Sequence, residues 1–274
     1  MLARSRVALI ALIALLGLTL TTPVIGVGTT NVFAQQAAAA CSRDWLGHEA
    51  EFEQAMKTGT ITKMESVPIG VTKPQRARLD PSTPVASFTW KPLKPGYQKG
   101  FIESYKAEIA AYELDRILEL QMVPPVVERT IDGQTGAALY WIENTTGWNA
   151  KDPPKGPEPA WSRQLTRMKM FDLLVANIDR NQGNLIYDAD WHLFLIDHSR
   201  AFTGKKNLKG IAPLAYVDRP LWTRMQALTF QSLKTGLGEW VTDDDLRALL
   251  TRRDEMSKEI AKMVAKRGES IFVD

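Results

Sequence analysis

The chain has 274 residues, with 45% hydrophobic and 24% charged side chains, enough for a sizeable core and too apolar for general disorder. Its 34 basic and 31 acidic residues nearly balance, which excludes a general polyanion binder, so no nucleic-acid partner is expected. A single cysteine, Cys41, excludes an internal disulfide, so stability has to come from packing.

In chain order, Arg4 and Arg6 precede the unbroken apolar run Val7–Leu18, and "NVFA" follows with suitable residues at Val32 and Ala34. This order predicts an export signal over residues 1–34, a mature chain beginning near Gln35, and a periplasmic or extracellular location. The alternative is an uncleaved segment retained as an anchor, the one route to a membrane, with the basic side still sending the rest outward. Removing residues 1–34, which hold two Arg and no acid, takes the 34 basic residues to 32 against 31 acidic ones.

Residues 35–60 combine an alanine-rich linker with a short amphipathic helix and read as peripheral. From Ile61, "ITKMESVPIGV", "QRARLD" and "VASFTWKPL" predict three antiparallel strands separated by Pro, Gly and Asp. "FIESYKAEIAAYELDRILEL" predicts a long helix carrying Ile102, Tyr105, Ile109, Tyr112, Leu114 and Ile117, stopped by "VPP". "VVERTI" and "AALYWIE", joined by "DGQTG", form a hairpin. The Pro- and Gly-rich loop Asn144–Pro159 marks a boundary between an N-terminal lobe at about 61–143 and a C-terminal lobe at about 160–274. There "AWSRQLTRMKMFDLLVAN" is a helix, and "NLIYD" and "HLFLID" pair around Ala189-Asp190-Trp191. The remainder is helical, Thr242 and "DDD" capping a last helix Asp243–Lys266. The fold class is α+β.

Asp179 lies in "IDRNQGN" directly after a helix, Asn184 follows in the same loop, and Asp197 closes the second hairpin strand. A hairpin between the two carboxylates brings them to one cleft. Phosphoryl transfer needs a carboxylate to orient the attacking hydroxyl, an amide oxygen and a second carboxylate for a metal, and a lysine for the nucleotide phosphates. Lys91 ends the third strand and Glu108 sits on the next helix, where an acid pairs with such a lysine. Singly these residues have ordinary readings: turn caps, a strand end, a solvated lysine, a helix-surface acid. The order of all five favours the chemical reading.

"TWKPLKPG" and "AEIAAYELDRILELQMVPPVVER" closely resemble the small-lobe motifs of the secretory-pathway kinases typified by the Golgi casein kinase. "DRNQGN" and "IDHSRAF" resemble that family's catalytic and metal motifs, and those of the wider HipA-like and phosphoinositide-kinase-like superfamily. The resemblance covers Val67–Phe202, about half the chain. It implies a bilobal protein-kinase-like domain over 61–274, with a small antiparallel-sheet N-lobe carrying one long helix and a mainly helical C-lobe. It implies ATP or another nucleoside triphosphate with Mg2+ or Mn2+. Lys91 would contact phosphates, Glu108 position Lys91 or bear on the metal site, Asp179 act as catalytic carboxylate, Asn184 and Asp197 hold the metal, and Gly70 and Thr72 lie over the phosphates. One glycine there is not a glycine-rich motif.

This chain departs from the family pattern at Asn181, where a histidine is usual, and at Ser199, where a glycine is expected; the family's disulfides are absent. Two functions follow: an exported kinase acting on a protein, glycan or lipid hydroxyl, or a pseudokinase that binds nucleotide, metal or partner without chemistry. His48, His192 and His198 lack metal-ligand spacing among themselves. The tryptophans, including Trp148 and Trp161 beside the proline-rich loop, read first as packing and second as a glycan or peptide cleft. Arg200 is expected to hold the metal strand or a phosphate.

Overall fold

The computed structural model describes residues 43–67, 74–98, 100–208 and 213–274. The expected export segment and its anchor alternative, and Gly70 and Thr72, lie outside the described residues. Among the described residues no helix is long and apolar enough to cross a membrane.

The first elements are α1 (Glu49–Thr58), β1 (Ile61–Ser66), β2 (Gln75–Leu79) and β3 (Ser87–Lys91). They are followed by a short hairpin of β4 (Gly96–Gln98) and β5 (Phe101–Glu103), then α2 (Tyr105–Ile117), β6 (Val126–Ile131) and β7 (Gln134–Tyr140). The main sheet has the order β1-β2-β3-β7-β6, antiparallel throughout. β3 is its central strand, and its sequence "SFTWK" is apolar at alternate positions. Phe88 and Trp90 therefore fill one face, in a core with Trp45, Phe52 and Met56, while the period of two turns Lys91 to the other.

Residues 35–60 are not peripheral throughout. Trp45 and Met56 are buried, and Arg129 on β6 donates to the carbonyls of Met56 and Gly59 at 2.7 Å each, binding α1 to the sheet. The long helix also begins later than its apolar spacing predicts. Phe101–Glu103 pair with β4, and Ile102 is exposed. Ser104, in extended backbone, caps α2 by accepting from the Lys106 N–H. The helix buries both flanks because it packs against β6 and β7 on one side and a C-lobe helix on the other.

The second half begins with β8 (Thr146–Gly147), α3 (Ala160–Val175), β9 (Leu185–Tyr187) and β10 (Leu193–Leu195). It continues with β11 (Val217–Asp218), α4 (Arg219–Gln226), α5 (Phe230–Leu237), α6 (Asp243–Arg267) and β12 (Phe272–Val273). The expected β9–β10 hairpin forms and gains β8 as a third strand from the proline-rich loop. The tail is helical except for the parallel β11–β12 pair. Thr242 caps α6 in a reciprocal box with Asp245. β10 joins the two cores: Phe194 packs with Trp45 in the first, and Leu193 and Leu195 enter the larger one with α2, α3 and α6. That strand delivers the chain to Asp197.

Candidate active site

Lys91 sits at the C-terminal end of β3, and its Nζ lies 2.8 Å from Glu108 Oε1 and 3.1 Å from Asp197 Oδ1. One ammonium thus joins the central strand, the long helix and the end of β10. Glu108 is fully buried, and its Oε2 accepts the His198 backbone N–H at 2.8 Å. Asp197 has φ of +62°, a left-handed conformation costing a Cβ-bearing residue about 1–2 kcal/mol. The turn it makes there lets the carboxylate face Lys91 while the next N–H reaches Glu108. The Ser199 hydroxyl donates to Asp197 Oδ1 at 3.2 Å.

The loop after α3 is built around Arg180. Its guanidinium pairs with buried Asp172 on α3 at 3.0 Å, donates to the carbonyls of Asn184 at 2.9 Å and Ile196 at 2.7 Å, and meets His198 Nε2 at 2.8 Å. It therefore fixes the loop to α3 and to the residue preceding Asp197. Asp172 also accepts from Asn177 Nδ2, and Asn177 Oδ1 accepts the Asp179 N–H. Asn184 is buried, and its Nδ2 donates to the Asp179 carbonyl at 3.0 Å. Asp179 remains part-exposed, with Oδ2 2.9 Å from Arg200 Nη1.

Burial alone would drive the proton from Lys91, but Glu108 and Asp197 outweigh it and hold its pKa above the ordinary value. For Asp197 burial works upward, yet the Lys91 ammonium and the Ser199 hydroxyl bring the carboxyl down to about 2. Burial pushes Glu108 upward against the pull of Lys91 and the His198 N–H. His198 is held well below its usual pKa by burial and by Arg180. Its imidazole is therefore neutral, with Nε2 accepting from the guanidinium.

These donors suit a hard divalent cation, which prefers carboxylate and amide oxygens. Asp197 is ionised. Asn184, having spent its amide nitrogen on the Asp179 carbonyl, has Oδ1 as its ligand-type atom. The arrangement offers a cation and metal-type oxygens on the Lys91 side and a part-exposed carboxylate held by Arg200 on the Asp179 side.

Lys91, Glu108 and Asp197 are thus brought into direct contact, and Asp179 and Asn184 share a loop tied to the same strand end. Sequence reasoning missed Asp172 and Arg180. It also missed Glu103, whose carboxylate pairs with Arg200 at 2.7 Å. The adjacency of Arg180 to Asp179 was the one available signal. His48 pairs with Glu51 at 3.6 Å on the surface. His192 belongs to a group with Asp188 and Asp190 at the β9–β10 turn, its Nδ1 2.7 Å from Asp188 Oδ2. Trp148 and Trp161 stack on each other, and Trp161, Tyr187 and Trp191 continue the packing, so Trp161 is buried rather than lining a cleft.

A small antiparallel sheet carrying one long helix, set with a mainly helical lobe and meeting it at these charges, defines a bilobal protein-kinase-like fold. Within that class the chain has the fold of the atypical secretory-pathway kinases. It is similar to hydra Fam20 solved with sugar (TM-score 0.63, 16% identity, 83% of this chain and 92% of that one). It is also similar to the Golgi casein kinase (TM-score 0.61, 13% identity, 83% and 78%). The same kinase with Mn/ADP bound gives a TM-score of 0.61 at 12% identity over 82% and 78% of the two chains. No family model and no curated protein matches the sequence.

Proposed function

We propose that the chain is an exported, metal-dependent phosphotransferase that moves a phosphoryl group from ATP or another nucleoside triphosphate to a protein, glycan or lipid hydroxyl. The observation that carries this reading is the bridging of Glu108 and Asp197 by the buried Lys91 ammonium, at 2.8 and 3.1 Å. In this reading Lys91 binds the nucleotide phosphates, aligned by Glu108, and Gly70 and Thr72 belong to the segment over them. Asp197 and Asn184 hold Mg2+ or Mn2+. When bound, such an ion neutralises charge on the phosphates. Asp179 orients the acceptor hydroxyl and takes up its proton. The domain over 61–274, the signal at 1–34 and the periplasmic or extracellular location belong to the same proposal. The Mn/ADP complex of the Golgi casein kinase and the sugar complex of hydra Fam20 are consistent with it.

The test separates the two aspartates. The mature chain is incubated with labelled ATP and manganese or magnesium against protein, glycan and lipid acceptors, and nucleotide binding is followed by calorimetry. Asp197→Asn should abolish metal-dependent nucleotide binding. Asp179→Asn should leave that affinity nearly intact while transfer falls about 10²–10⁴-fold. A parent that binds ATP with metal and transfers to no acceptor or to water would establish the pseudokinase instead. If both variants match the parent, the carboxylates are structural and the kinase reading fails.

A further inference from the structure

Arg200 is the third residue after Asp197, and its guanidinium is shared between two carboxylates. Nε and Nη2 each lie 2.7 Å from Glu103 Oε1 on β5, and Nη1 lies 2.9 Å from Asp179 Oδ2 on the loop after α3. The ring of Phe101, also on β5, covers the guanidinium with its centroid 3.9 Å from Cζ. The Ser104 N–H donates to the Ser199 carbonyl at 2.9 Å, so the end of the β4–β5 hairpin and the segment carrying Arg200 are also joined through their backbones. Arg200 and Glu103 are largely shielded, while the Asp179 side chain is 36% exposed.

We infer that Arg200 is a positioning residue that aims the Asp179 carboxylate, with the β4–β5 hairpin as its mount; this rests on the phosphotransferase reading. A lone carboxylate in a solvated loop samples several rotamers, and only one presents an oxygen to the acceptor. A planar guanidinium fixes direction as well as charge. Glu103 and Phe101 hold that plane: the first by accepting from the Arg200 Nε–H with Nη2 at the same distance, the second by covering its face. Arg200 engages Oδ2 of Asp179, and among the described residues no hydrogen bond is made to Oδ1. In the proposed transfer Oδ1 is the oxygen that would meet the acceptor hydroxyl. The same hairpin exposes Tyr97, Phe101 and Ile102, so an acceptor resting on it would bear on the mount of the catalytic carboxylate. Geometric displacement of a reacting group by about 1 Å costs on the order of 10²-fold in rate.

The experiment is a double-mutant cycle on the mature chain, read by nucleotide binding and by phosphoryl transfer from labelled ATP with manganese to water and to the chain itself. Arg200→Ala is expected to lower turnover about 10- to 100-fold and leave ATP–manganese affinity within about twofold, because Lys91, Asp197 and Asn184 are untouched. Arg200→Lys should recover part of the loss, since it restores charge without the plane. In an Asp179→Asn background, Arg200→Ala should cost little more, whereas a purely structural role would add its full effect again. Normal turnover in Arg200→Ala, or full additivity with Asp179→Asn, overturns the inference and leaves the phosphotransferase reading standing. A parent that binds ATP–manganese and transfers nothing, to water, to itself or to protein, glycan and lipid acceptors, removes both.

Discussion

Replacing Lys91 by Met tests the central ion pair without any substrate. Lys91 is 7% exposed and Glu108 is fully buried, so the substitution leaves a carboxylate inside the protein whose remaining partner among the described residues is the His198 N–H. Removing one member of a buried pair costs about 3–5 kcal/mol. The lower end applies, because Glu108 retains that hydrogen bond and can take up a proton. A loss of about 3 kcal/mol in a domain of this size lowers Tm by roughly 6–12 °C. The effect should depend on pH. Burial already raises Glu108 above its ordinary value of 4.5, and loss of the cation raises it further. A carboxyl whose folded pKa exceeds its unfolded one binds protons more tightly in the native state, so stability falls as pH rises from 4.5 through the folded value. The Lys91→Met deficit is therefore largest near neutral pH and shrinks on acidification. Lys91→Met with Glu108→Gln removes the buried pair but still leaves Asp197, 33% exposed, without its cation, so it should recover most but not all of the loss. Denaturation followed by circular dichroism without nucleotide or metal, near pH 5 and pH 7.5, measures all three proteins. A single variant within about 0.5 kcal/mol of the parent, the ordinary range for a surface change, or a double variant no better than the single, would refute the reasoning.

Gly136 on β7 lies behind Lys91, and a Cβ there would come within 2.5 Å of the Lys91 carbonyl and 2.6 Å of Pro92 Cα. Gly136→Ala should therefore push on the β3 backbone, costing about 1–3 kcal/mol and weakening nucleotide binding through Lys91; unchanged stability and affinity would show that the strand accommodates it. Thr242→Ala removes the cap of α6, which touches none of the five site residues, and should cost about 1 kcal/mol, read as a Tm lower by roughly 2–4 °C with nucleotide affinity unchanged.

The sequence made β3, α2 and the β9–β10 hairpin legible because their periodicities are local and each turn is marked by Pro, Gly or Asp. The start of α2 was not. Phe101 and Ile102 continue the helical apolar spacing, and only the glycines at 96 and 100, with φ of +147° and +94°, signal a hairpin there. α1 was undervalued for a different reason. Its buried face of Phe52, Ala55 and Met56 is short, and its importance comes from Arg129, which joins it only in the folded chain. The five proposed site residues were legible as an ordered set. Arg180 was not, and Arg200 was singled out for the metal strand or a phosphate, whereas it pairs with Asp179 and with Glu103 across 97 positions; a charge pattern does not specify a partner at that separation.

The same contacts bear on the two departures from the kinase pattern. Asn181, in place of a histidine, accepts the Gly183 N–H at 2.9 Å and donates to the Asp179 carbonyl at 3.2 Å, so it shapes the turn that carries Asp179. Ser199, in place of a glycine, donates to Asp197 through its hydroxyl and anchors the β4–β5 hairpin through its carbonyl. Asp197 itself takes the left-handed turn, at φ +62°, and in that conformation its carboxylate meets Lys91 with a serine two residues later. The Arg180 clamp on Asn184 and Ile196 then sets the separation of the two loops, independently of either departure. Binding nucleotide alone does not call for an arginine on Asp179, yet here Arg200 pairs with that carboxylate and is itself held by Glu103 and Phe101. In the proposed phosphotransferase it is therefore the surroundings of Asp179, more than those of Asp197, that would distinguish transfer from binding alone.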